Sequence, residues 1–206
     1  MCKLYLIVDH FSCVNRSVDE VVQEAVAGGV DLVQLREKHA STRQIMELGR
    51  SLQGILGKYK IPLIINDRID IARALNADGV HVGQQDMPYP IARQQMGEEK
   101  IVGVSVSSDK QALEANKWNV DYIGVGSVFK TKTKEDISAL IGLDGLRRIS
   151  KLSKHKIFAI GGIDLTNARS AIAAGADGIA VVSAICSAPT PKTAAQELLN
   201  IVKDVN

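Results

Sequence analysis

Aromatic residues make up only 4% of this chain, and cysteine occurs at three positions, Cys2, Cys13 and Cys186. Three cysteines with no C-x-x-C pair argue against a disulfide framework and for a reducing compartment. An excess of either charge is missing too. The formal net charge is +2, so the global basic field that serves nucleic-acid partners is absent. No apolar run approaches the roughly 18–20 residues of a membrane helix, and Leu4–Val8 is too short for the core of a signal peptide. The expectation is a cytoplasmic protein with neither a membrane nor a nucleic acid as partner. Gly-x-Ser-x-Gly, His-x-x-x-His and Cys-His arrangements are lacking. The four histidines, His10, His39, His81 and His155, share no motif. His81 reads as a packed histidine within a strand, not as a base. No linker or charge run divides the 206 residues, 46% of them hydrophobic, which predicts one domain over 1–206.

What is present is a hidden repeat. Gly28–Gln34, Asn76–Val82, Asn119–Val125 and Gly175–Val181 share a Gly/Asn-x-Asp-x-apolar rhythm, with Asp31, Asp78, Asp121 and Asp177 spaced 47, 43 and 56 residues apart. Each enters a short apolar run. Four further runs lie between them: Leu4–Val8, Leu63–Ile65, Ile101–Val104 and Ile157–Ile160. Short, continuous apolar runs are the pattern of strands buried on both faces. Helical segments separate them, opened by Ser17 with Glu20 and by Ser41 with Gln44 at capping-box spacing. Thr166 precedes another helix, which Gly175 closes. Alternating strands and helices imply parallel β-α units. The near-equivalence of the repeats favours closure, so the predicted fold is a single α/β (β/α)8 TIM barrel, with an open doubly wound sheet as the rival.

Active sites of such barrels lie at the C-terminal strand ends. After strand 2, Gln34, Arg36 and Lys38 alternate and share a face, a set suited to an anion. A solvated charged loop is the bland alternative. Asp67 and Asp86 end adjacent strands, and two carboxylates plus substrate phosphates suit magnesium. Either could instead cap a helix, starting near Asp70 or Pro88. The polar loop from Phe129 to Ala139 could close over a phosphate or merely connect. Gly161-Gly162-Ile163 and Val182-Ser183-Ala184-Ile185, with a short helix after strand 8, match the phosphate site common at strands 7 and 8.

Taken together, the chain resembles the thiamine phosphate synthase family. The matching motifs are Gln34–Lys38 (QLREK), Ile65–Arg68 (INDR), Ala77–Asp86 (ADGVHVGQQD), Gly103–Ser105 (GVS), Asp121–Lys134, Ala159–Ile163 (AIGGI) and Val181–Ile185 (VVSAI). That resemblance implies a transferase that joins an aminopyrimidine diphosphate to a thiazole phosphate. Gln34, Leu35, Arg36, Glu37, Lys38, Asn66, Ser105 and Lys134 would hold the pyrimidine diphosphate. Arg36, Lys38 and Lys134 would act on the departing pyrophosphate, and Asp67 and Asp86 would bind Mg2+. Thr131, Lys132, Thr133, Gly162, Val182 and Ser183 would hold the thiazole phosphate. The thiazole nitrogen attacks with its own lone pair, so no protein base is needed. Self-association as a homodimer stays open.

Two positions depart from the family pattern. Lys130 stands where proline usually precedes the loop threonine, and Val106-Ser107 replace Ala-His. The second bears on a rival, a thiazole tautomerase of the same superfamily, which places a proton-carrying histidine where Ser107 stands. Serine is a poor proton carrier near neutral pH. A non-catalytic phosphate-sensing barrel is the third reading.

Overall fold

The computed structural model describes residues 3–131 and 140–204. Eight strands follow the expected runs: β1 (Leu4–Val8), β2 (Leu32–Leu35), β3 (Leu63–Asn66), β4 (Gly79–Val82), β5 (Ile101–Val106), β6 (Tyr122–Val125), β7 (Ile157–Ile160) and β8 (Gly178–Val181). They pair in parallel in chain order, and β8 pairs with β1, so the barrel is closed. The open-sheet rival is thereby excluded. The helices are α1 (Val18–Ala27), α2 (Thr42–Leu56), α3 (Ile69–Leu75), α4 (Tyr89–Met96), α5 (Asp109–Ala115), α6 (Gly142–Leu152), α7 (Ala168–Ala173), α8 (Ser183–Cys186) and α9 (Pro191–Lys203). Both capping boxes form, with Ser17 and Glu20 opening α1 and Ser41 and Gln44 opening α2. α7 begins one residue later than its threonine suggested, with Asn167 as N-cap. Gly175, at φ +101°, turns the chain out of that helix. No helix among the described residues is long and apolar enough to cross a membrane.

The strands bury two layers. Outward residues such as Leu6, Val33, Ile65 and Val80 pack under the helices in the larger core. Inward residues Tyr5, Ile7, Leu32, Ile64, Tyr122, Phe158 and Ala180 fill the barrel itself. Glycine makes room for the rings inside. A Cβ on Gly103 would lie 2.1 Å from Tyr122, and one on Gly178 would lie 2.8 Å from Phe158.

The repeat aspartates explain the fourfold rhythm. Each stands just before an even strand and turns its carboxylate back to the start of the preceding odd strand. Asp31 accepts from the Lys3 and Leu4 N–H groups (2.8 and 3.2 Å). Asp78 accepts from Leu63 (2.8 Å), Asp121 from Val102 (2.7 Å) and Asp177 from Ile157 (2.8 Å). These N–H groups stand at the strand starts, where the ladder has not yet begun, and a buried unpaired donor is costly. The repeat is therefore a structural clamp at the N-terminal end of the barrel, away from the chemistry.

Asp177→Ala should lower stability by about 1–3 kcal/mol, the cost of stranding a buried donor. Asp177→Asn keeps a carbonyl oxygen and should recover more than half of that loss. Urea midpoints check this, and an unchanged midpoint for the alanine variant would refute the clamp.

Candidate active site

The C-terminal strand ends surround a cavity of about 550 Å3. β2 and the segment after it send Gln34, Arg36 and Lys38 into its wall, as alternation required. Asn66 and Asp67 from the end of β3, Asp86 after β4 and Ser105 on β5 join them. Thr131, Gly162, Val182 and Ser183 line the other end. Thr131, Gly162 and Ser183 also line an adjoining recess of about 500 Å3 that includes Lys130. Lys132, Thr133 and Lys134 lie outside the described residues, as does Cys2.

Two expected residues face elsewhere. Leu35, 1% exposed, packs outward under the helices. The Glu37 carboxylate accepts the His10 N–H at 2.7 Å, and neither side chain lines the cavity. Strand alternation is the reason: they occupy the odd face of the segment whose even face carries Gln34, Arg36 and Lys38. Burial pushes the Glu37 pKa up, against the pull of the His10 backbone bond.

The two aspartates converge. Asp67 is held at φ +58°, an uncommon conformation for a residue with a side chain. Its N–H donates to the His81 carbonyl across the β3–β4 pair (2.8 Å). Neither aspartate caps a helix: Arg68 and Pro88 stand at the starts of α3 and α4, and neither start has a side-chain cap. Asp86 instead accepts the Gly83 N–H at 2.8 Å, closing the turn after β4. A Cβ on Gly83 would sit 2.8 Å from that same carboxylate oxygen, so glycine permits the approach. Burial, followed by the hydrogen-bonded Asp86 carboxyl, raises the Asp67 pKa above the usual carboxylate range. The Lys38 ammonium opposes the rise, donating to Asp67 at 2.5 Å. Crowded carboxyl groups that resist ionising are prepared for a cation. Among the described residues no three His, Cys, Asp or Glu side chains could hold a metal together. The donor set fits a hard cation completed by ligand oxygens.

Glycines shape the opposite end. Gly161 and Gly162 have φ of +100° and +62°. Side chains there would strike Ser127 and the Lys130 carbonyl, at 2.2 and 2.3 Å. Only glycine lets the segment after β6 lie against the turn after β7, where Phe129 N–H donates to the Gly161 carbonyl (2.9 Å).

The cavity floor contains residues that sequence reasoning passed over. Tyr5 and His81 line it, and Tyr122 is buried behind them, bonded to both. His81 is packed, at 9% exposure, yet it also bonds Tyr122 and Ser105. The signal was available in the strand pattern, because His81 alternates with Val80 and Val82, which face the helices.

The thiamine monophosphate synthase family model matches residues 4–185. A thiamine-phosphate synthase of Clostridium novyi (strain NT) is 49% identical over 97% of this chain and 98% of its own length. One from Chloroflexus aurantiacus is 48% identical over 97% and 92%. The solved thiamine phosphate pyrophosphorylase of Pyrococcus furiosus superposes with a TM-score of 0.89 at 41% identity, covering 99% of this chain and 96% of that one.

A raised carboxyl pKa carries a stability cost with a definite sign. The folded state holds the Asp67 proton more tightly than the unfolded chain does. Its relative contribution is most favourable below about pH 3.9 and is lost as pH rises through the folded pKa. In metal-free buffer, Asp67→Asn should therefore gain on the wild type at pH 7 and lose that advantage near pH 4. Urea melts at both values test this, and an identical difference at the two pH values would refute the assigned burial cost.

Proposed function

The chain belongs to the thiamine monophosphate synthase family and is a transferase of thiamine biosynthesis, and from that membership we propose its substrates and mechanism. It joins 4-amino-2-methyl-5-(diphosphooxymethyl)pyrimidine to a thiazole phosphate, giving thiamine phosphate and pyrophosphate. One observation carries this reading. A single cavity sets two cations, a pair of amides and a carboxylate pair at one end against a glycine-built polar end at the other. That is a room for two phosphorylated partners, one of which must leave its diphosphate behind.

Gln34, Asn66 and Ser105 position the pyrimidine diphosphate, while Arg36 and Lys38 hold its diphosphate. Gly162, Val182, Ser183 and Thr131 hold the thiazole phosphate across the cavity. Lys132, Thr133 and Lys134 extend these two sets by family resemblance. The C–O bond to pyrophosphate breaks ahead of attack, because the electron-rich aminopyrimidine can carry the resulting cation. Negative charge then grows on pyrophosphate, where Arg36 and Lys38 already stand, so stabilisation is greatest where charge develops. A magnesium ion held by Asp67 and Asp86 would supply further neutralisation there. The thiazole nitrogen attacks with its own lone pair, and no side chain need remove a proton. Ser107 fits this reading and not the tautomerase, for its hydroxyl donates to Gln111 (3.1 Å) and cannot serve as a proton shuttle in that state.

Pyrophosphate release from the two substrates, measured with and without magnesium, tests the activity. No release under any magnesium concentration would refute it. Asp86→Ala should reduce turnover by about 10²-fold or more and flatten the magnesium dependence, whereas wild-type turnover with an unchanged magnesium profile would dismiss the carboxylate pair. Arg36→Ala should weaken pyrimidine diphosphate binding while leaving thiazole phosphate binding nearly intact. Equal weakening of both in calorimetry would mean that the two phosphate ends are wrongly assigned.

A further inference from the structure

Gln34 and Ser105 come from β2 and β5, three strands apart, yet a continuous chain of hydrogen bonds joins them beneath the cavity. Gln34 Nε2 donates to the Tyr5 hydroxyl. The Tyr5 and Tyr122 hydroxyls are 2.7 Å apart. Tyr122 meets His81 Nδ1 at 3.1 Å, and His81 Nε2 meets Ser105 Oγ at 2.9 Å. Packing holds every ring between the ends. Tyr5 and Tyr122 meet edge to face with centroids 5.6 Å apart, and His81 stacks on Tyr122 at 5.6 Å. Gly124 lies beneath His81, where a Cβ would come within 3.2 Å of the imidazole. The heavy atoms are fixed, so the remaining variable is which way the protons point.

A chain of this kind has two polarities, and the Gln34 bond selects one. A phenol that accepts from an amide passes its own proton onward. Tyr5 then donates to Tyr122, and Tyr122 donates to His81 Nδ1. The imidazole, accepting at Nδ1 and carrying its proton on Nε2, donates to Ser105 Oγ. With its oxygen accepting from His81, Ser105 turns its hydroxyl proton toward the cavity. Gln34, with one amide N–H given to Tyr5, keeps its carbonyl oxygen available to the cavity. In the opposite polarity the two ends would exchange roles, Gln34 offering N–H and Ser105 a lone pair.

We infer that Tyr5, Tyr122 and His81 form a proton-ordered positioning chain that makes the site select a 4-aminopyrimidine over its 4-oxo counterpart. The inference rests on the substrate reading above and names what discriminates within it. An aminopyrimidine presents an N–H donor and a ring nitrogen acceptor. A 4-oxo ring presents a carbonyl acceptor beside a ring N–H donor, the reverse arrangement. One carbonyl and one hydroxyl proton of fixed direction match the first and oppose the second. A site built to hydrogen-bond one pattern rejects the other because its own buried groups are left unpaired. Since the three side chains act through Gln34 and Ser105, their removal should alter preference more than overall binding.

The test is calorimetry with the 4-amino and 4-oxo forms of 2-methyl-5-(diphosphooxymethyl)pyrimidine, on the wild type, Tyr5→Phe and Tyr122→Phe. The wild type should prefer the amino form by about tenfold or more, one missing hydrogen-bond match. Each phenylalanine variant keeps its ring but breaks the chain, and most of that preference should disappear while thiazole phosphate affinity stays within about twofold. A purely packing role would weaken both pyrimidines alike and keep the ratio, which overturns the inference. Nitrogen-15 NMR of His81 in the wild type gives a second readout: a proton on Nε2 supports the ordering, and a proton on Nδ1 overturns it. That spectrum decides even where a variant fails to fold. If the wild type binds neither pyrimidine, the substrate reading itself falls, and the spectrum still reports the chain's polarity.

Discussion

Closure of the parallel ladder is the constraint on which everything else depends. Eight short strands are buried on both faces, so each must find partners on both edges, and only the β8–β1 pairing removes the last edges. The four repeat aspartates act at this level. By accepting N–H groups at the starts of odd strands, they tie neighbouring strands together in pairs at the N-terminal end. With that end tied, inward and outward positions are assigned for every strand, because the side-chain period is two.

The opposite end inherits its geometry from the same register and spends some stability on function. Asp67 sits at φ +58° with a carboxyl whose ionisation is opposed by burial and by Asp86. Two glycines at positive φ bring the segment after β6 against the turn after β7. Such conformations cost free energy and persist only where the surroundings over-determine them. The closed barrel and its clamps supply that surplus at a distance from the reacting groups. The proposed chemistry, leaving-group stabilisation, suits such a scaffold. It asks for charges and donors held in place, not for a side chain that moves.

Between the two ends lies a middle layer that is neither plain core nor binding wall. Tyr5, Tyr122 and Phe158 fill the barrel with edge-on rings, and two of them also carry hydroxyls into a polar chain. In a chain with so few aromatic residues, three meet at this one level. Rigid rings lose little rotamer freedom, so they are suited to hold hydroxyls at fixed positions. The floor thus couples the apolar interior to the groups proposed to meet the substrate.

Period and position were legible in the residues themselves. Apolar runs at regular intervals specified eight strands, and Ser17 with Glu20 and Ser41 with Gln44 marked two helix starts, because these signals are local. Alternation correctly brought Gln34, Arg36 and Lys38 together. The same alternation turns the side chains of Leu35 and Glu37, which the motif resemblance had included, away from the cavity. Whether Asp67 and Asp86 capped helices or met each other was undecidable from sequence, since both roles use the same residue at the same place. The answer depends on the left-handed turn at Asp67 and the bare backbone at Gly83, which only the closed barrel brings within reach. The chain from Gln34 to Ser105 was equally hidden. Its members stand in five strands, from Tyr5 to Tyr122, and hydrogen bonds between residues so far apart exist only once the ring of strands has closed and forced their inward positions into one layer.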